Sequence, residues 1–185
     1  SFNKDLLWDV SNVTSMDYMF SGADAFDGDI TEWDVNYVQY MKRMFMDSSF
    51  NRDISSWKVH NVTTMNEMFK NNEAFDQNIR SWDVGNVQDM SGMFNGAEAF
   101  KQDISPWNMS SVSDTTGMFD DASELKSMGS GCVFYRIAMT FELTAFQAGF
   151  CLQNGGCPDS YFDCSPADCS TCATFSPTAA PTGFP

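Results

Sequence analysis

The residues best equipped for chemistry in this sequence are one histidine, His60, a recurring acid at Asp5, Asp29, Asp53 and Asp103, and six cysteines near one end. His60 is the only imidazole available as a general base. Its counterparts in the repeat described below are Ser11, Asn36, Gly85 and Ser110, so it reads as a solvated turn residue rather than a catalyst. No Gly-x-Ser-x-Gly, phosphate-loop or dinucleotide fingerprint occurs. Paired carboxylates would suit glycoside hydrolysis, but these acids fall in one repeat column with Asn78 at the fourth place. Asp and Asn alternate where a side chain hydrogen-bonds its own turn, and that is the reading adopted. The competing reading is Ca²⁺ held between turns, since stacked carboxylates repel unless N–H groups or a cation offset their charge. No catalytic residue and no cofactor is expected, and the chain is not read as an enzyme.

The first 131 residues contain no cysteine; Cys132, Cys151, Cys157, Cys164, Cys169 and Cys172 follow. An even number packed into one short segment reads as a disulfide framework formed in an oxidising compartment, with the pairing left open. Cys169-Ser-Thr-Cys172 could begin a zinc site, but no second Cys-x-x-Cys and no nearby histidine supports it. Asn12 and Asn61 begin Asn-Val-Thr and Asn108 begins Asn-Met-Ser, so all three are N-glycosylation sequons. The terminal TFSPTAAPTGFP mixes Ser, Thr and Pro, reads as an extended stalk, and offers Thr178 and Thr182 to O-glycosylation.

These residues are positioned by a repeat. Phe recurs at 2, 26, 50, 75 and 100 and Trp at 8, 33, 57, 82 and 107, a period of 24 or 25 residues. Val10, Val35, Val59, Val84 and Met109 form another column, followed by Val13, Val38, Val62, Val87 and Val112. Met16, Met41, Met65 and Met90 come next, then Met-Phe at 19–20, 44–45, 68–69, 93–94 and 118–119. A fixed period of this size means units that stack because none buries its apolar face alone. Trp and Phe at matching phases pile into one ladder, with Met filling the irregular gaps. A methionine stripe binding a soft metal is the weaker reading.

Ile30, Trp33 and Val35 stand at i, i+3 and i+5, as do Ile54, Trp57, Val59 and Ile79, Trp82, Val84. That is leucine-rich-repeat spacing, and it predicts a short parallel strand in each unit. The following V-x-x-M-x-x-M-F has apolar residues three apart and predicts one or two helical turns. The expected fold is therefore a leucine-rich-repeat-like solenoid of five strand-plus-helix coils. Residues 53–69, DISSWKVHNVTTMNEMF, resemble the BspA-like leucine-rich-repeat surface proteins, whose units read like DISSWDVSNVTNMSGMF. The resemblance covers residues 1–125 and implies a surface-exposed, non-enzymatic solenoid with adhesive or envelope roles, without implying a particular ligand.

Beyond the repeats, Tyr135, Ile137, Met139, Phe141 and Leu143 alternate with polar or small residues. Period two predicts an amphipathic strand in a 126–150 cap segment. The Cys-rich 151–174 is expected to be pinned to it by disulfides as a β cap, and 175–185 forms the tail. The bare apolar residues Phe2, Leu6 and Trp8 at the other end require cover from further repeats or another molecule. A head-to-tail contact of that kind is heterologous and builds fibres when it does not close. The expected function is thus an extracellular or cell-surface structural and adhesive protein, self-associating through these two apolar sets into a fibre or layer. The alternative is a module binding a protein or glycan through the strand face, at Thr31, Glu32, Asp34, Ser55, Ser56, Lys58, Arg80, Ser81 and Asp83. With 10 Lys and Arg against 25 Asp and Glu, net charge is −15, which argues against nucleic acid and anionic lipid as partners. No apolar run approaches the roughly 18–20 residues that span a bilayer.

Overall fold

The computed structural model describes residues 2–104 and 106–124. The segments after residue 124, with the predicted cap strand and the six cysteines, lie outside the described residues. Five coils, 2–25, 26–49, 50–74, 75–99 and 100–124, each begin at one of the recurring phenylalanines.

The expected strand-plus-helix coil does not form. Among the described residues no strand or sheet is present beyond isolated parallel bridges, Ser15 to Tyr40, Tyr40 to Thr64, Thr64 to Asp89 and Asp89 to Asp114. The only helical positions described are Ser123 and Glu124. Turns make the coils instead. Where a strand was expected, the Trp33 amide donates to the Ile30 carbonyl at 3.2 Å and the Val38 amide to Val35 at 3.0 Å. Trp57, Trp82 and Trp107 repeat the first of these bonds to Ile54, Ile79 and Ile104. An i to i+3 bond turns the chain so that both flanking apolar residues face inward, giving the same spacing that suggested a strand.

Where a helix was expected, the amides divide. In the first coil Met19, Ser21 and Ala23 donate backwards within the coil to Met16, Tyr18 and Phe20. Met16, Tyr18, Phe20 and Gly22 donate outwards, to the carbonyls of Tyr40, Lys42, Met44 and Met46 in the next coil at 2.8–2.9 Å. An α-helix keeps such donors for its own i−4 carbonyls. Left-handed residues four apart interrupt it in every coil: Tyr18 and Gly22, Arg43 and Asp47, Glu67 and Asn71, Gly92 and Gly96, Gly117 and Asp121.

Inside the coils the apolar columns are continuous and dry. Phe20, Phe45, Phe69, Phe94 and Phe119 stack at centroid spacings of 5.6–5.8 Å. The second phenylalanine column lies beside it, with Phe69 to Phe75 at 3.8 Å and Phe94 to Phe100 at 4.0 Å. Each indole from the second coil onward reaches back one coil. Trp33 Nε1 donates to the Leu6 carbonyl, Trp57 to Ile30, Trp82 to Ile54 and Trp107 to Ile79. Ring stacking and a satisfied indole thus come from one residue, which accounts for the unvarying tryptophan. From the second coil onward the recurring Ile, Val and Met fill the remaining core at 0–4% exposure, while Val13 and Met19 of the first coil are partly buried.

Candidate functional site

Three side-chain systems run across the coils. Asn3, Asp27, Asn51 and Asp76 each accept, on Oδ1, the amide of the following column member, Asp27, Asn51, Asp76 and Lys101, at 2.9–3.1 Å. Short polar side chains there stand in for backbone carbonyls that face elsewhere. On another edge, Asn61 Nδ2 donates to the Asn36 carbonyl and Asn86 Nδ2 to the His60 carbonyl, both at 2.7 Å. Ser111 Oγ donates to Gly85 in the same fashion. On the wall, the face built by 16–22, 41–47, 65–71, 90–96 and 115–121 whose amides run between coils, Glu67 accepts from Arg43 and from Lys70, linking the second and third coils. Burial pushes the Glu67 carboxyl up, but hydrogen bonds and charge from Lys70 and Arg43 outweigh it and hold it below its usual value. The bond to Glu67 raises Arg43, whose guanidinium also lies 5.6 Å from the Tyr18 ring.

The acidic column turns its oxygens onto the protein. Asp5 Oδ1 accepts the Asp29 amide, Asp29 accepts the Thr31 amide and hydroxyl, and Asp53 accepts the Ser55 amide. These bonds lower the Asp29 and Asp53 carboxyls. Asn78 accepts the Arg80 amide in the same way, and Arg80 reaches Asp103. Among the described residues no group of three or more His, Cys, Asp or Glu is placed to hold a metal ion. His60 is exposed, with its Nε2 at 3.2 Å from Asn61 Nδ2.

The sequon residues Asn12, Asn61 and Asn108 are all exposed. Asn61 is committed to its bond with Asn36, and Asn108 Oδ1 accepts the amide of Ser110, its own sequon serine. Of the apolar residues expected to mediate association, Phe2 and Trp8 are 51% and 55% exposed, stacked on Phe26 and Trp33. Leu6 is buried, and its neighbour Leu7 is the exposed one. Tyr135, Ile137, Met139, Phe141 and Leu143, the disulfide cysteines and Thr178 and Thr182 lie outside the described residues. The strand face proposed for recognition does not exist as such; Thr31, Glu32, Ser55, Ser56, Arg80 and Ser81 lie at or beside turns.

Two features were missed from sequence. One is the prevailing forward sense of the wall ladder, which only amides at its edge such as Gln39, Thr63, Gln88 and Ser113 reverse. Coil after coil, alternate amides donate forward: Met41, Arg43, Phe45 and Asp47 to Thr64, Asn66, Met68 and Lys70, and onward through Met65 and Met90 to Asp89 and Asp114. The other, among the described residues, is the exposure of Tyr18, Tyr37 and Tyr40. Their signal was available, because the same columns elsewhere carry Gly92 and Gly117, Asn61 and Asn86, or Ser15 and Thr64.

A family model described as "Mycoplasma protein of unknown function, DUF285" matches residues 1–59 and 46–132. No curated protein and no solved structure matches the chain. Among the described residues no helix is long and apolar enough to cross a membrane.

Proposed function

The chain belongs to the DUF285 family, and from that premise and the coil geometry we propose that it is an extracellular, cell-surface structural and adhesive protein that associates with itself. The proposed role is non-catalytic. The resemblance of its units to BspA-like surface proteins supports the surface location. The carrying observation is the ladder between coils: wall amides donate chiefly to the next coil, while Gln39, Thr63, Gln88 and Ser113 donate to the coil before, so the two faces of a coil offer different sets of amides and carbonyls. The contact is heterologous, so coil can follow coil without an intrinsic limit, within one chain or between copies. The aromatic columns supply the apolar part of that contact.

Light scattering over a concentration series, followed by electron microscopy, tests this reading. Open-ended oligomers that lengthen with concentration are expected. A particle of one fixed mass at every concentration overturns axial assembly.

A further inference from the structure

Two columns of the repeat put asparagine to opposite uses. In the column of Asn12, Tyr37, Asn61, Asn86 and Ser111 the fold uses a donor. Asn61 Nδ2 bonds the Asn36 carbonyl and Asn86 Nδ2 the His60 carbonyl, both at 2.7 Å, and Ser111 Oγ bonds that of Gly85 at 2.6 Å. In the column of Asp9, Asp34, Lys58, Asp83 and Asn108 it uses an acceptor. Asp9, Asp34 and Asp83 each accept the amide two residues on, and Asn108 Oδ1 accepts that of Ser110 at 3.1 Å. Carboxylates, which have no N–H, fill that role in three coils, so the Asn108 nitrogen is spare.

Asn61 and Asn108 both head sequons, and their surroundings differ in the same direction. Asn61 Nδ2 also lies 3.2 Å from His60 Nε2, and the hydroxyl of its sequon threonine, Thr63, donates to the Gln39 carbonyl at 3.1 Å. Asn108 and Ser110 are exposed, and neither Asn108 Nδ2 nor the Ser110 hydroxyl has a hydrogen-bond partner among the described residues. The nearest coil offers Gly85, which has no side chain; even a Cβ there would lie 3.5 Å from Asn108 Nδ2. Lys58 is exposed in the same column, so this edge has room for a long substituent.

We propose that Asn108 carries an N-linked glycan in the folded chain, and that Asn61 is a ladder residue that stays bare. The transfer takes an oligosaccharide from a polyprenyl diphosphate. Nδ2 bonds the sugar C1, the C1–O bond to the diphosphate breaks, and one Nδ2 proton leaves with the diphosphate. The Asn108 carbonyl oxygen is untouched, so the turn keeps its cap. On Asn61 the same transfer takes a hydrogen from a nitrogen that faces two acceptors. That donor is met in the secretory pathway, so the site rests on the extracellular reading above.

Expression of the full chain in a secreting eukaryotic host supplies the donor whatever the native location. Glycosidase release in heavy-oxygen water then marks each occupied asparagine as a labelled aspartate for peptide mass spectrometry. Occupancy of Asn108 in the secreted chain is expected to exceed that of Asn61 about tenfold, the factor that opening one or two side-chain hydrogen bonds implies. A second measurement needs no glycan. In unglycosylated chain, Asn108→Asp keeps the cap that Asp9, Asp34 and Asp83 provide and should leave the melting temperature unchanged. Asn61→Asp loses the donor and should lower it by about 2–4 °C. A bare Asn108, an Asn61 occupied as fully as Asn108, or an Asn108→Asp that costs as much as Asn61→Asp overturns the proposal. A bare Asn108 leaves the surface reading standing, since the host supplies the donor; a particle of one fixed mass in scattering overturns axial assembly and leaves this site.

Discussion

Gly92 shows how closely one residue answers to its neighbours in adjacent coils. Its φ is +60°, and a Cβ there would sit 2.9 Å from Glu67 Cγ, which lies over it from the third coil. Gly92→Ala therefore combines left-handed strain with displacement of Glu67 from Arg43 and Lys70, an expected loss of about 1–3 kcal/mol in chemical denaturation. Gly22, also left-handed at φ +71°, has nothing within 4 Å of such a Cβ. Gly22→Ala is expected to cost only the strain, about 1 kcal/mol. Equal losses would show that Glu67 does not matter. The acids give a second prediction at this scale. Asp29 and Asp53 have carboxyls lowered by the amides and hydroxyls they accept. A depressed folded-state pKa contributes stability above the unfolded value, about 3.9, that is lost as pH falls through the folded value. Melting temperature should thus drop below about pH 4. Asp53→Asn copies what Asn78 already does in the fourth coil, so it should be nearly neutral at pH 7 and make the acid limb shallower. A steeper acid limb in that variant would refute the assignment.

At the scale of the element, the tryptophan turn joins a coil to the one before it. Trp82 is buried and its Nε1 donates to the Ile54 carbonyl at 3.1 Å. Trp82→Phe keeps a ring in the column but removes one of the two bonds that carbonyl accepts, the Trp57 amide remaining on it, an expected cost of about 0.5–1.5 kcal/mol from the bond. Trp8 is half exposed and its indole has no hydrogen-bond partner among the described residues, so Trp8→Phe should change the denaturation midpoint little. The columns behind this contrast were legible in the sequence, because Phe, Trp, Val and Met recur in phase and only packing asks for that. The backbone between them was not. Ile-x-x-Trp and Met-x-x-Met place apolar residues three apart, and an i to i+3 turn produces that spacing as readily as a helix does. What separates the two is where the amides point and which residues turn left-handed. Glycine at 92, 96 and 117 hinted at the latter, but Tyr18, Arg43 and Glu67 occupy the same conformation with side chains that give no such hint. Residues that bond outside their own coil draw stability from neighbours rather than from local propensity, so local patterns misreport them. Candidate interaction residues fared likewise: Phe2 and Trp8 could be picked by type, whereas Leu6 and Leu7 exchange places according to a turn the pattern does not specify.

For the whole molecule the question is whether five coils unfold as one body. Every coil bonds chiefly to the next, so stability should be a sum of weak coils and strong junctions, as in linear repeat arrays. Phe69 sits in the middle coil, its ring 5.6 Å from Phe45, 5.7 Å from Phe94 and 3.8 Å from Phe75. Its amide also carries a ladder bond to the Met93 carbonyl at 2.9 Å. Phe69→Ala removes three ring contacts at zero exposure and opens a cavity in a column that cannot collapse along the stack, a loss of about 3–5 kcal/mol. Phe2→Ala removes a half-exposed ring that stacks only on Phe26 among the described residues, and its cost should stay near 1 kcal/mol. Because the Phe69 cavity falls between two pairs of coils, hydrogen exchange should show more than a smaller global stability. Protection of the ladder amides Arg43, Phe45 and Asp47, which donate into the third coil, should fall before that of Gly92 and Phe94, which donate onward to the fifth. In the parent chain both sets should exchange together through global unfolding. If Phe69→Ala lowers both sets by the same amount, the coils form one cooperative unit and the picture of separable junctions is wrong.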